Sequence, residues 1–425
     1  MAGRWIGNEI ERTIYVIAGL PLAIRASSGQ GTATAQEIRR AFAHAYWHPN
    51  NITEVLELAL GLLVTPLAVP LAALWFTARN GGTIRRREGK GIAVQFWEQL
   101  RLYGSAGIFG PWYYILSLHR EGMLRAPTFL QRCETKRGVY ALLKNKAASP
   151  LGDKRRFAER CEAAGVRCVQ CESAAPGALP DCDLFVKPLT GNGGKGAERW
   201  DRVGPRLWSD GTRTLGECAL EEHLRSARTR LIIQKRVRPH PTLATLTSGA
   251  LPTVRALTCL DENGRPELMA AVFRMSIGGN RTVDNIHAGG LACAVSLDAG
   301  TLGLASDLGS DARLGWCRDH PTTGARIEGA HLPFWREVRE LAVRAHDAFS
   351  DRVLIGWDIA IAENGPIVIE GNRGPDVDLM QRFMETGFRG GHRLTDLLAH
   401  HLRVRSVLQR SGRMTSDNRA RRACQ

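Results

Sequence analysis

Acidic side chains are the scarce component of this 425-residue chain. There are 42 Asp and Glu against 57 Lys and Arg, a formal charge of +15. Such an imbalance favours anionic partners. Nucleic acid is the poorer candidate, because nothing interleaves aromatic residues with base-reading side chains. The positive charge is also divided among Arg79 to Lys90, Lys136 to Arg156 and Arg403 to Arg422. A membrane surface carrying anionic lipid is the better partner. The 10 cysteines form no even framework, which argues against a disulfide-stapled scaffold. Cys168-x-x-Cys171, with Cys161 and Cys182 nearby, lacks the His or second Cys-x-x-Cys that would complete a zinc site. Val166 to Val169 is therefore read as a strand after a helix over Lys154 to Ala164. No internal repeat and no Ser–His–Asp or Cys–His constellation is visible, so no side-chain nucleophile is expected. Thr13 to Ile24 is apolar, but Glu9 and Glu11 precede it, which makes a poor secretory leader.

With 44% hydrophobic and 23% charged residues, the chain has enough apolar material for two or more cores. Leu58 to Thr77 is 20 residues without a charge, long enough to span a bilayer. Trp75-Phe76 and then Arg79, Arg85, Arg86, Arg87 and Lys90 follow it, a flank that places the next segment on the cytoplasmic side. Pro66 and Pro70 argue for a kinked or re-entrant segment, or a buried helical pair, rather than a straight helix; the alternative to membrane association is a soluble helical extension packed on the catalytic part. Leu102 to Leu118, with Trp112, Tyr113 and Tyr114, has an interfacial composition.

Three segments carry chemistry. The first is Gly356-Trp357-Asp358-Ile359-Ala360-Ile361-Ala362-Glu363-Asn364-Gly365-Pro366-Ile367-Val368-Ile369-Glu370-Gly371-Asn372. It reads as two apolar strands joined by a hairpin at Glu363-Asn364-Gly365. Glu370 and Asn372 share one face. Asp358 joins them if it pairs with Glu370, which asks for a three-residue loop with Gly365 at positive φ. A two-residue Asn-Gly turn would separate the acids. Two carboxylates and an amide oxygen together suit Mg²⁺; otherwise this is a hairpin with a charged rim. The second segment is a strand, Asp183 to Lys187, running into a loop with Gly191, Gly193, Gly194 and Gly196. Such a loop can wrap an anion, though its spacing is not that of a Walker A loop. The third is Leu231 to Val237, an apolar strand that turns polar at Gln234-Lys235-Arg236.

The order of these parts resembles the ATP-grasp superfamily, and more finely the sugar-transfer-associated ATP-grasp family. The finer likeness is carried by Thr253 to Thr258, Phe273-Arg274-Met275, Val283-Asp284-Asn285 with Gly289-Gly290, and His320-Pro321-x-x-Gly324 with Gly329 to Trp335. It runs from about Asp153 to Asp396. The resemblance implies an α/β (α+β) ATP-grasp fold, with a lid subdomain and a catalytic body of mixed or antiparallel sheets. It implies that Lys187 and Lys154 meet ATP, with an exposed lysine at a helix start as the alternative for Lys154, that Gly191, Gly193, Gly194 and Gly196 cover its phosphates, and that Gln234, Lys235 and Val237 meet the adenine. A Glu is commoner at the position of Gln234. Arg255 and Arg274 would meet phosphate and developing charge, with a structural ion pair as the alternative. Asp358, Glu370 and Asn372 would hold Mg²⁺, with Mn²⁺ as an alternative ion. Asp284, Asn285 and His287 either line the acceptor pocket or build turns, and His320 and His331 read as loop residues.

The expected organisation is a helical, membrane-leaning region over 1–120 with a candidate membrane segment at 58–77. An α/β lead-in over 121–180, a lid over 181–250 and a body over 251–402 follow. A basic tail over 403–425 reads as disordered from Ser411. In the body, Val338, Leu341, Ala342 and Ala345 form a core stripe on one helix, Trp335 to Phe349. The expected activity is an ADP-forming carboxylate–amine ligase in cell-surface polysaccharide biosynthesis. Its partners would be ATP, a small carboxylate and amine, a lipid-linked or polymeric saccharide, and an anionic membrane surface, with no nucleic acid. It would work at the cytoplasmic face of the membrane, where its cysteines would be free thiols. The alternatives are a phosphotransferase acting on a sugar hydroxyl and a nucleotide-binding scaffold.

Overall fold

The computed structural model describes residues 2–27, 32–140, 143, 149–172, 179–189, 196–227, 229–279, 282, 284, 286–384, 387–389 and 391–406. Four helices lead: α1 (Ala2–Ile24), α2 (Ala33–Trp47), α3 (Ile52–Glu88) and α4 (Ile92–Ala106). Two antiparallel sheets follow. The smaller has the order β4-β3-β2-β1-β5, from β1 (Leu184–Pro188), β2 (Glu198–Gly204), β3 (Leu207–Ser209), β4 (Thr214–Gly216) and β5 (Leu231–Lys235). Trp200, Trp208, Val186 and Ile233 form its own small core.

The larger sheet has the order β11-β10-β6-β7-β8-β9. Its strands are β6 (Thr253–Leu260), β7 (Pro266–Met275), β8 (Leu291–Val295), β9 (Leu302–Ser306), β10 (Leu354–Ala362) and β11 (Gly365–Asn372). Two layers cover it. On one face lie α5 (Lys154–Ala163) and α6 (Trp335–Ala348), whose Val338, Leu341, Ala342 and Ala345 are buried with Phe157, Phe273 and Trp357. Burial of Val338 and of Leu341 contributes about 1.5–3 kcal/mol each, and the alanine methyls less. On the other face, Ile38 of α2 packs with Leu257, Met269 and Leu397. The helical region is thus built into the body.

Three local expectations are revised. Pro66 and Pro70 lie inside one continuous α3, with Pro66 on its exposed side, where the carbonyl left without an N–H partner can reach solvent. The stretch from Leu102 to Leu118 is core rather than interfacial. Tyr113 and Tyr114 are buried with Leu102 and Phe129, their hydroxyls donating to Glu98 and Gln95. Residues 166–169 form no full strand. Cys168 makes an isolated parallel bridge to Val368, with Val169 N donating to Val368 O at 3.1 Å.

Candidate active site

The acid-bearing hairpin reaches its register by a route the sequence did not suggest. Its turn has two residues, Glu363 and Asn364, because Ala362 pairs with Gly365. Gly365 takes φ +105° as expected. Continued regularly, this pairing would set Asp358 against Ile369. A bulge between Asp358 and Ile359 shifts the ladder by one, so Asp358 pairs with Glu370. Glu370, Asp358 and Arg255 then form one row across β11, β10 and β6. The extra residue, Ile369, also reaches the cavity beside Glu370. Re-aiming neighbouring side chains in this way is a common consequence of a bulge.

The row opens into a cavity of about 680 Å³ between the two sheets. It gathers Lys154, Lys187, Gln234, Lys235, Val237, Arg255, Arg274, Asp358, Glu370 and Asn372. Gly196, at φ +72°, is described but does not line it. Gly191, Gly193, Gly194 and Asn285 lie outside the described residues. Eight Lys or Arg and four Asp or Glu line the walls. That excess of positive charge suits a polyanion.

Asp358 is buried and accepts from Nε and Nη2 of Arg255 and, at 3.0 Å, from Nη2 of Arg274. Burial alone would raise its pKa, but the two guanidiniums hold it at about 2. Arg274 also donates to Thr253 Oγ1 at 2.6 Å and lies 3.4 Å from Asp284, which accepts from the same hydroxyl. Asp284 and His287 both line the cavity. His320 Nε2 bonds to Ser276 O, a loop contact.

Glu370 behaves differently. Burial pushes its carboxyl up, the Asp358 charge adds to this, and Lys187 opposes it. Asn372 Nδ2 is buried without a hydrogen-bond partner among the described residues. A carboxylate held at a cost fits an external cation, which Asn372 Oδ1 could also meet, while the unpartnered Asn372 N–H fits an acceptor such as a phosphate oxygen. The oxygens of Asp358 already carry guanidinium N–H groups, so it would share its charge. No cluster of three His, Cys, Asp or Glu among the described residues is placed to hold a metal, because the third donor here is an amide.

The opposite wall comes from the small sheet. Lys187 is buried on β1, and desolvation pushes its ammonium pKa down. Lys154 follows the N-cap Asp153 of α5, and its Nζ lies 3.4 Å from Leu189 O. Gln234, across from Phe185, donates from Nε2 to Val169 O at 3.2 Å, which turns its Oε1 into the acceptor end. Lys235 is exposed and 3.8 Å from Glu172.

Sequence reasoning missed the far end. Lys136 and Arg132 each lie 3.1 Å from Asp376, which lines the cavity with Lys136, Leu379, Met380 and Phe383. Lys136 sat unremarked in a basic run, and only its place on a π-helical turn, Glu134–Val139, marks it locally.

A small lysine-bearing sheet facing a larger sheet of acids and arginines is the arrangement expected of an ATP-grasp protein. The model for sugar-transfer associated ATP-grasp matches residues 146–395, more than half of the chain. The chain belongs to that family. No curated protein matches it. Among solved structures it is similar to an L-amino acid ligase from Bacillus licheniformis, at TM-score 0.34 and 11% identity over 58% of this chain and 48% of that one. A D-cycloserine synthetase gives TM-score 0.36 and 17% identity over 60% and 71%. A biotin carboxylase from Campylobacter jejuni gives 0.36 and 12% over 60% and 46%. The match thus spans about half the length of two of these three proteins.

Proposed function

We propose that this protein is an ATP- and Mg²⁺-dependent ligase that activates a carboxylate as an acyl phosphate and joins it to an amine. The observation that carries this reading is the facing of Lys187 and Lys154 against Glu370, Asn372 and the Asp358–Arg255–Arg274 cluster across one cavity. The carboxylate oxygen attacks the γ-phosphorus, the bond to ADP breaks, and the amine then displaces phosphate from the carbonyl carbon. Gln234 Oε1 accepts from the adenine amino group. Lys187 and Lys154 neutralise phosphate oxygens from the lid side. Arg255 and Arg274, held in place by Asp358, face the charge that develops on the transferring phosphoryl group and then on the tetrahedral oxyanion. Glu370 and Asn372, with a share from Asp358, would hold Mg²⁺ (or Mn²⁺), which supplies charge neutralisation at the β- and γ-phosphates.

Lys136, His287 and the apolar end at Met380 and Phe383 would receive the acceptor. The family name supports an acceptor built on a saccharide, lipid-linked or polymeric, in cell-surface polysaccharide biosynthesis. The apolar α3 and its basic flank support work at the cytoplasmic face of a membrane.

The test uses the detergent-solubilised full chain with Mg-ATP, pooled amino acids and uronic acids, and hydroxylamine. Enzyme-dependent ADP and hydroxamate are expected, both lost in Glu370→Ala. ADP without hydroxamate would point to a phosphotransferase acting on a hydroxyl. Nucleotide binding with neither product would leave a scaffold.

A further inference from the structure

Helix α3 has its amphipathicity turned inside out. Glu57, Gly61, Thr65, Val69, Ala73 and Thr77 recur every four residues and are buried. This small, polar face is firmly committed. A Cβ on Gly61 would lie 2.3 Å from Val16 of α1, and Gln99 of α4 donates to Thr77 Oγ1 at 2.6 Å. The outer face is leucine: Leu63, Leu67 and Leu71 are 77%, 70% and 62% exposed. Trp75 and, from α4, Trp97 widen the apolar surface, each 65% exposed. Exposed Arg79, Arg85 and Arg86 close its end. A broad apolar surface with a basic margin suits the headgroup boundary of an anionic bilayer.

Length and hydropathy alone would let α3 cross that bilayer. Its neighbours forbid it. The preceding helix, α2, is tied to the catalytic body by Thr34 Oγ1 donating to Asp396 at 2.8 Å. The following helix, α4, buries Leu102 and Ala106 in a cluster with Ala312 of the body. A single crossing would put these two flanks on opposite sides of the membrane. It would also draw exposed Arg101 of α4 toward hydrocarbon, which is costly. We propose that α3 lies in the plane of one leaflet, its leucine face in the acyl boundary and its arginines on anionic headgroups. The catalytic body is thereby held at the same surface. The inference rests on the membrane part of the proposed function and is independent of the ligase chemistry.

The experiment sediments the full chain with vesicles of phosphatidylglycerol and phosphatidylcholine, or of phosphatidylcholine alone. Wild-type protein is compared with Leu63→Glu/Leu67→Glu and, as a distant exposed control, Val203→Glu. Protease is then added outside vesicles carrying N-terminally tagged protein. Binding to the anionic vesicles is expected to fall by about tenfold or more in the double variant, with an unchanged circular dichroism melt, while the control binds normally and the tag is digested. A protected tag would mean that α3 crosses and would overturn the proposal. Failure of the wild type to sediment with anionic vesicles would also overturn it, and a dimer that the double variant dissociates would assign the face to a second copy. If hydroxamate never forms but vesicle binding behaves as expected, the ligase reading falls and this one stands.

Discussion

Asp358 and Arg255 face each other across β10 and β6, and the carboxylate receives both Nε and Nη2 of the guanidinium. Glu370, one strand over, has no such cation bonded to it among the described residues. The two acids should therefore respond differently to neutralisation. Asp358→Asn leaves two buried guanidiniums short of charge and should cost about 3–5 kcal/mol. Glu370→Gln removes a carboxylate that burial already disfavours, so stability at neutral pH should hold or rise. Its Mg-nucleotide affinity should fall by about tenfold or more. Urea unfolding and nucleotide titration of the two variants would show this split.

Lys187 offers a second test. Its ammonium is buried and its pKa is pushed down. Lys187→Met keeps the shape and removes the charge. The KM for ATP should rise by about tenfold or more while the melting temperature holds or increases. A fall in stability with unchanged KM would make Lys187 a structural residue.

Gly356 sits opposite Asn372 in the hairpin. A Cβ there would lie 2.8 Å from Pro375 Cβ and 3.5 Å from Arg255 Cδ. Gly356→Ala should destabilise by about 1–3 kcal/mol and lower kcat by displacing Arg255. Gly303→Ala, where the nearest atom is 3.7 Å away, should be tolerated in the same assays.

His346 predicts an acid limit. It is buried beneath the sheet, 2.7 Å from Thr258 Oγ1 and 2.8 Å from Arg352 O, and desolvation lowers its pKa from 6.5 to about 4. A depressed folded-state pKa gives stability that is present above pH 6.5 and lost as pH falls through about 4. The loss should approach about 3 kcal/mol over that window. His346→Gln should flatten this part of the profile in denaturant melts taken at successive pH values.

The parts of the fold that follow from strand and helix periodicity were legible. β6, the core stripe of α6 and the acid hairpin all lie where apolar patterning places them. The pairing of Asp358 with Glu370 was left open in the sequence: the three-residue turn it was tied to is absent, and a bulge supplies the register instead. Turn length depends on local chemistry at Glu363-Asn364-Gly365, whereas the bulge at Ile369 depends on what packs beneath it. The direct bonding of Asp358 to Arg255 and Arg274 was left open because sequence spacing does not fix cross-strand partners. Lys136 and Asp376 escaped notice because they come together only when the helical region packs onto the body. The burial of Tyr113 and Tyr114 escaped notice because their hydroxyl partners, Glu98 and Gln95, lie on a different helix.

The bulge gives the hairpin two places where its length is counted. The tip sets the pairing from Ile359 outward, and the bulge resets it from Asp358 inward. Related chains could gain or lose residues in matched pairs at the tip, lengthening or shortening both arms together, without turning Glu370 to the wrong side. Loss of Ile369 alone would let a regular ladder return Glu370 to Asp358, but it would remove the local twist that aims the strand. Inheritance can therefore alter the tip freely while the acids stay in place.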